Sequence, residues 1–189
     1  MTQNHVPSGS AGSSPARGTI GPTLRQLALA FTLGATAVIG TALGFEHLGG
    51  FQPCALCLEQ RTPYYLAIPV GIVLLAALRW KPDRRLVAFL FALAAALMLY
   101  DAGLAAYHAG VEWRWWEGPA ACAPTGEVGN AASMLEALGE GQHAPSCTDA
   151  TWRFLGLSFA GWNAILASGL ALLAAYGAVQ AYGSRTASQ

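Results

Sequence analysis

The sequence has little charge for its length. Only 11% of its 189 residues are Asp, Glu, Lys or Arg, whereas 54% are hydrophobic. About a quarter of the residues in soluble domains are charged, so this composition argues against an ordinary water-soluble domain. Two cofactor motifs are also missing. Leu58 follows Cys57, so there is no Cys-x-x-Cys-His haem attachment, and no Gly-x-Gly-x-x-Gly loop indicates a bound dinucleotide.

Four long apolar stretches account for most of the hydrophobicity. Residues 24–45 and 86–107 each contain one charged residue, whereas residues 62–78 and 161–181 contain none. A helix that crosses a membrane needs about 20 apolar residues, with roughly 17 as the lower limit. The pattern therefore predicts an all-α membrane protein, a four-transmembrane-helix bundle that occupies residues 23–182. The first stretch is longer than the apolar region of a signal peptide, which has about 7–15 residues.

The basic residues predict how the four spans are oriented. The N-terminal region, the 79–85 turn and the C-terminus together carry seven of the ten Lys and Arg residues. Because basic residues near span ends stay in the cytoplasm, the tails at 1–22 and 183–189 are predicted to be cytoplasmic. Residues 46–61 and 108–160 are then the outer loops. Residues 1–22 are rich in Ser, Gly and Pro and are expected to be disordered.

A Cys-x-x-Cys element lies where the second span begins. Pro53 suits the first position of a helix, which would place Cys54, Cys57 and Arg61 on one helical face. The positive end of the helix dipole and the Arg61 guanidinium are expected to lower the pKa of the Cys57 thiol. A thiolate beside a cation at the membrane edge is suited to attack, or donate charge to, an electron-poor ring.

The second cysteine pair, Cys122 and Cys147, lies in the long outer loop. A disulfide between them could simply stabilise the loop, by about 3–4 kcal/mol on a chain-entropy estimate. The functional interpretation is a mobile redox pair within reach of a soluble partner, since exposed disulfides are the labile ones. In the same loop, Asn130 is a suitable N-cap for a short interfacial helix over residues 131–138. All four cysteines lie in the outer loops, where disulfides persist.

Two ionisable residues of the third span are further candidates. His108 is expected at the level of Cys57 and Arg61, where it would contact the electron-poor ring or relay protons. The alternative is an ordinary polar residue at a helix end. Asp101 lies nearly two turns deeper, and an acidic residue within a membrane is a candidate functional residue, although the sequence indicates no partner for it.

Two other interpretations of the Cys-x-x-Cys element remain open at this point. One is half of a zinc site, completed by Cys122 and Cys147 or by a His. Against it, zinc ligands usually come as two tight pairs, and the second pair here is widely spaced. The other is an inert structural disulfide, which explains neither Arg61 nor the position at the membrane edge.

The sequence resembles the DsbB family of disulfide bond formation proteins. The resemblance extends over residues 24–182 and is carried by four motifs in family-like order. They are Pro-Cys-Ala-Leu-Cys-Leu-Glu-Gln-Arg at 53–61, Tyr-His-Ala-Gly-Val-Glu-Trp at 107–113, Gly-Pro-Ala-Ala-Cys at 118–122 and Trp-Arg-Phe-Leu-Gly-Leu-Ser at 152–158.

The resemblance implies a quinone-dependent thiol–disulfide oxidoreductase of the bacterial inner membrane, with both cysteine loops in the periplasm. A soluble periplasmic oxidase of the DsbA type would attack the Cys122–Cys147 disulfide, with Cys122 taking the mixed disulfide. Cys147 would then exchange with Cys54, leaving Cys57 as the thiolate that faces the quinone. This DsbA–DsbB–quinone route is what keeps the bacterial periplasm oxidising.

The resemblance also implies the cofactor site and the partners. Arg61 matches the quinone-site arginine of the family, and His108 aligns with a histidine near the quinone, so both join Cys57 as candidate cofactor-binding residues. The expected cofactor is ubiquinone or menaquinone, and the other partners are the DsbA-type oxidase and membrane lipid. No metal and no nucleic acid are expected. Three alternatives stay open: a vitamin K epoxide reductase-like quinone oxidoreductase, a metal-binding membrane protein that uses Cys and His, and a variant dedicated to one partner.

Overall fold

The computed structural model describes residues 22–80, 83–119, 122, 146–150 and 152–186. In chain order its elements are the helices and strands α1 (Pro22–His47), α2 (Ala55–Glu59), α3 (Arg61–Arg79), α4 (Arg84–Glu112), β1 (Arg153–Phe154), β2 (Leu157–Ser158) and α5 (Phe159–Thr186). Each predicted span lies within one of the long helices α1, α3, α4 and α5. The predicted interfacial helix at 131–138 and the N-terminal tail up to residue 21 lie outside the described residues.

Four helical segments of the described chain are long and apolar enough to cross a membrane. They are Thr23–His47, Ala55–Arg79, Arg84–Glu112 and Phe159–Gly183. Each presents large apolar side chains outward, such as Leu33, Ile72, Phe89 and Leu172, which are largely exposed. Contiguous apolar surface of this kind is uncommon on a soluble monomer and suits contact with lipid. The prediction of a four-helix membrane protein is confirmed, and the chain is a multi-pass membrane protein.

The four long helices form a closed bundle. α1 packs against α3 and α5, and α4 packs against the same two helices. Glycines allow the close approach, because a Cβ on Gly71 would overlap Thr32 Oγ1 on α1 and a Cβ on Gly177 would overlap Phe91 Cε1 on α4. Helix association in lipid depends on such close packing, because the hydrophobic effect does not drive it there.

A small hairpin precedes α5, a feature that the all-α prediction did not include. Its two strands are antiparallel, with Arg153 opposite Ser158 and Phe154 opposite Leu157. The turn residues Leu155 and Gly156 both have positive φ, 52° and 84°. Positive φ at both central positions is the type I′ pattern, whose twist matches that of a two-residue hairpin. The hairpin fixes where the chain enters α5.

Candidate redox site

The helix that carries the Cys-x-x-Cys element begins at Ala55, two residues later than the sequence predicts. Cys54 is the N-cap of α2, with φ −76° and ψ 173°, and its Sγ accepts a hydrogen bond from the backbone N–H of Cys57 at 3.3 Å. Oxygen side chains usually occupy this capping position. Pro53 therefore precedes the cap and is not the first helical residue. Because Cys54 lies outside the helix and α2 ends before Arg61, the three side chains do not share one face of a continuous helix.

The two sulfur atoms of this element are free thiols 2.9 Å apart. The hydrogen bond from the Cys57 thiol, supported by His108 and opposed by burial, lowers the pKa of the Cys54 thiol to about 4. The capping geometry adds the backbone N–H of Cys57 as a further donor. The donors therefore converge on Cys54, whereas the sequence assigned the stabilised thiolate to Cys57. The difference arises because the helix N-terminus is directed at the capping residue.

His108 lies against Cys54. Its Nε2 is 3.6 Å from Cys54 Sγ and 3.9 Å from Glu112 Oε1, and its Nδ1 is 2.8 Å from Gln60 Nε2. The side chain is 2% exposed. The sequence placed His108 at the level of Cys57 and Arg61, but the structure directs its ring to Cys54 and Gln60. His108 is thus a partner of the buried thiol of the pair.

Asp101 has a partner that the sequence did not reveal. Asn163 Nδ2 donates to Asp101 Oδ2 at 3.0 Å and to Gln60 Oε1 at 2.9 Å, while Tyr64 Oη donates to Asn163 Oδ1 at 2.7 Å. Asp101 is completely buried. Sequence reasoning missed Gln60, Asn163 and Tyr64. The available signal was that Asn163 is a polar residue within the apolar fourth span.

Arg61 forms an ion pair with Glu46 near the end of α1. The two side chains are 12% and 25% exposed, so solvent reaches both only in part. Sequence reasoning assigned no role to Glu46, which lies in the predicted outer loop at 46–61. The pair links α1 to the start of α3 and holds the Arg61 guanidinium in place.

A cavity of about 900 Å³ lies beside this pair, lined mainly by apolar residues of α1 and α5. Its polar wall is formed by Cys57, Gln60, Arg61, Tyr64 and Asn163. Aromatic side chains that pack on one another line another part of it: Phe45, Phe51, Trp152 and Phe159. Among the described residues, Cys54 and His108 are not part of the lining. Of the two cysteines of the element, Cys57 is therefore the one that reaches the cavity.

Cys122 and Cys147 form a disulfide, with their Cα atoms 5.2 Å apart. It is buried, since the two residues are 6% and 1% exposed, and it shares a cluster with Cys54, Leu56 and Val111. The sequence predicted an exposed pair, but here the loop packs its disulfide against the start of α2. The dithiol and the disulfide are thus in one buried cluster, and Cys122 and Cys147 are not free to complete a zinc site.

Three donor atoms could together hold a metal ion. The sulfurs of Cys54 and Cys57 and a ring nitrogen of His108 all lie within 4.8 Å of one another. Thiolate and imidazole are the ligands that Zn²⁺ prefers. Three protein ligands make an incomplete tetrahedral site.

A membrane helix bundle that packs a dithiol against a disulfide belongs to the class of membrane thiol–disulfide oxidoreductases. A family model described as Disulfide bond formation protein DsbB matches residues 24–177. Since this match covers most of the sequence, the chain belongs to the DsbB family. The family match favours this assignment over a vitamin K epoxide reductase-like protein.

Several individual proteins are similar to the chain. The Disulfide bond formation protein B of Nitrosospira multiformis is 31% identical over 175 residues, covering 81% of this chain and 90% of that protein. The corresponding protein of Saccharophagus degradans is 31% identical and covers 79% and 89%, and that of Marinobacter nauticus is 32% identical and covers 78% and 88%. No solved structure matches the chain.

Proposed function

We propose that the protein reoxidises a soluble periplasmic thiol oxidase of the DsbA type and passes the electrons to a membrane quinone. The observation that carries this proposal is the position of the two cysteines of the first pair. Cys54 is a buried member of the cluster that contains the Cys122–Cys147 disulfide, and Cys57, which packs against that cluster, also lines the large cavity. The chain can therefore exchange disulfides on one side of the pair and deliver electrons on the other.

The exchange steps use these four sulfurs in order. A thiolate of the partner attacks Cys122 Sγ, and Cys147 leaves as a thiolate. Cys147 then attacks Cys54 Sγ of the oxidised first pair, and Cys57 leaves as a thiolate at the cavity. The second thiol of the partner, after losing its proton, attacks the mixed disulfide and releases the oxidised partner. The Cys122 thiolate then breaks the Cys54–Cys147 bond, so that Cys122–Cys147 re-forms, Cys54 leaves as a thiolate, and two electrons have moved to the first pair.

The cavity fits a quinone. When bound, a quinone accepts two electrons and two protons. The donor available for its ring oxygens is the Arg61 guanidinium, and Cys57 lies on the same wall. The aromatic cluster and the apolar parts of α1 and α5 suit a ring with an isoprenoid tail and keep water away from the thiols. The proposal covers ubiquinone and menaquinone alike.

The proposed chemistry requires both cysteine loops to lie in the periplasm. Arg79, Arg84 and Arg85 lie at the end of the bundle where α3 and α4 are connected, and Cys54 and the hairpin follow the opposite helix ends. The basic end is the cytoplasmic one by the positive-inside rule, which also places both termini in the cytoplasm. A reporter fused to the C-terminus tests this orientation: alkaline phosphatase should be inactive there and green fluorescent protein fluorescent.

The function is tested with purified protein in detergent, a reduced DsbA-type protein and a quinone. Oxidation of the partner should be accompanied by equimolar loss of quinone absorbance. Cys57→Ser should abolish quinone reduction, whereas Cys122→Ser should bind quinone normally and fail to turn over the partner. No quinone reduction by the wild-type protein would contradict the proposal. A Cys147→Ser variant leaves Cys122 as a free thiol, whose thiolate should attack the disulfide of an oxidised partner and release the partner's other sulfur as a thiolate. Mass spectrometry of this mixed disulfide shows whether the partner is a general or a dedicated one.

Metal binding is the second candidate function, favoured by the three donor atoms of Cys54, Cys57 and His108. Metal analysis of protein purified without oxygen separates the two functions. Stoichiometric zinc, together with resistance of the first pair to oxidation by quinone, would support a metal site and overturn the redox proposal.

A further inference from the structure

A chain of buried polar side chains runs from the middle of the bundle to the redox pair. It begins at Asp101, passes through Asn163 and Gln60, and reaches His108, whose Nε2 is 3.6 Å from Cys54 Sγ. Asp101 is fully buried, and His108 and Gln60 are 2% and 5% exposed. A buried polar network of this kind is costly unless its members satisfy one another, so each hydrogen bond constrains the next.

Asp101 determines the orientation of the Asn163 amide. Its Oδ2 is an acceptor whether or not the other carboxyl oxygen carries a proton, so it requires an N–H group from Asn163. The carbonyl oxygen of Asn163 then faces Tyr64 Oη, which donates to it. Because a hydroxyl can also accept, Tyr64 follows the orientation of the amide and does not fix it. The second N–H of Asn163 is directed at Gln60 Oε1.

The orientation of Gln60 follows from that of Asn163. Because its Oε1 accepts from Asn163, its Nε2 is the atom that faces His108 Nδ1, at 2.8 Å. An amide nitrogen only donates, so Nδ1 must offer its lone pair. The single proton of a neutral imidazole is then on Nε2, the atom beside Cys54 Sγ.

We propose that Asp101 is a positioning residue, which acts through Asn163 and Gln60 to fix the His108 tautomer that directs Nε2–H at the Cys54 sulfur. His108 then donates a hydrogen bond to this sulfur and does not act as a base toward it. A sulfur that receives this hydrogen bond is a better leaving group in thiol–disulfide exchange. The mechanistic part of the inference rests on the proposed function, whereas the tautomer itself does not.

The tautomer is measured directly by NMR of the full-length protein in micelles, labelled with ¹⁵N-histidine. Spectra are recorded at about pH 8, above the ordinary histidine pKa of about 6.5. The signals of His108 are identified by their loss in His108→Gln. The wild-type ring should carry its proton on Nε2. A proton on Nδ1 in the wild-type protein would overturn the inference.

Two substitutions of Asp101 separate the effect of its hydrogen-bond acceptor from the effect of its charge. Asp101→Asn keeps a carbonyl oxygen for Asn163 and should preserve the Nε2–H tautomer. Asp101→Leu removes the acceptor, and the Nε2–H fraction should fall from nearly all to about half, because the two amide orientations then become similar in energy. An unchanged tautomer in a folded Asp101→Leu protein would overturn the inference.

Gln60→Glu is the second perturbation, should Asp101→Leu fail to fold. Glutamate offers His108 only acceptor oxygens, so a proton should appear on Nδ1, and an Nδ1 that stays unprotonated overturns the inference. Quinone reduction is measured on the same samples. If the wild-type protein has the Nε2–H tautomer but does not reduce quinone, the proposed function alone is contradicted. If it reduces quinone but carries the proton on Nδ1, the inference alone is contradicted.

Discussion

The hydrogen bonds to Cys54 make a quantitative prediction about its reactivity. Its sulfur lies 2.9 Å from the Cys57 sulfur and 3.6 Å from His108 Nε2. It also accepts a hydrogen bond from the Cys57 backbone N–H at 3.3 Å. The first of these contributes most to lowering the pKa of Cys54 to about 4. Replacing Cys57 by alanine removes that donor and leaves the other two in place. The thiolate of Cys54 should then be less favoured and its pKa higher.

The size of the change follows from the strength of one hydrogen bond to a charged group. Such a bond contributes about 1.5–3 kcal/mol. Because each pKa unit corresponds to about 1.4 kcal/mol, its loss should raise the pKa of Cys54 by roughly 1–2. Cys57→Ser is the matched control, since it also prevents disulfide formation in the first pair but retains a hydroxyl donor. In Cys57→Ser the pKa of the Cys54 thiol should stay close to the wild-type value.

The assay is the rate of Cys54 alkylation by iodoacetamide as a function of pH, followed by mass spectrometry of the peptide. In both variants Cys54 is the only thiol of the element, so no reductant is needed and the Cys122–Cys147 disulfide stays intact. The midpoint of the rise in rate should lie about 1–2 pH units higher in Cys57→Ala than in Cys57→Ser. Equal midpoints in the two variants would refute the assignment of the Cys57 thiol as the main donor.

Two further predictions concern the bundle and the cavity. Gly177→Ala should destabilise the protein by about 1–3 kcal/mol, because its Cβ would overlap a buried aromatic ring. Gly103→Ala is the control, since a Cβ there has open space and should not destabilise the protein. Thermal unfolding of the two variants in micelles is compared. Arg61→Met should raise the KM for quinone about tenfold or more, by loss of a charged hydrogen bond, and Glu46→Gln should raise it less because Arg61 is retained. An unchanged KM in Arg61→Met would exclude Arg61 from the quinone site.

The helices were predictable because each depends on local sequence. Hydropathy alone locates the four spans, and the observed helices α1, α3, α4 and α5 each contain one of them. The hairpin before α5 is different, since two strands of two residues each leave almost no pattern. Its one local signal is Leu155-Gly156, where glycine suits the positive φ of the second turn residue.

The roles of the two cysteines of the first pair were predictable only in part. The motif at 53–61 identifies the cysteines, but the choice between Cys54 and Cys57 as the stabilised thiolate depends on which residue caps α2. A shift of two residues in the helix start changes that answer, and helix ends are uncertain by one or two residues. Pro53 was therefore a true helix-start signal that was placed two positions too far into the helix.

The polar network was not predictable because its members are distant in the chain. Gln60 and Asn163 are 103 residues apart, and Asn163 and Asp101 are 62 apart. Hydropathy shows that a polar residue in an apolar span needs a partner, but not which one. That choice is made by the packing of α5 against α4, which brings Asn163 beside Asp101 at the level of Gln60.

The geometry of α2 explains how one Cys-x-x-Cys element can serve two reactions. Cys54, as the cap, has its sulfur beside His108 and is a buried member of the cluster that contains the loop disulfide, whereas Cys57, inside the helix, reaches the cavity. Gln60 takes part in both regions, since it lines the cavity and also bonds to His108. The same side chain that forms the wall beside Cys57 therefore also sets the hydrogen bond to Cys54. A change in the cavity that rotated the Gln60 amide would alter the leaving-group character of Cys54, and this coupling depends on Asn163 and Asp101 holding that amide in one orientation.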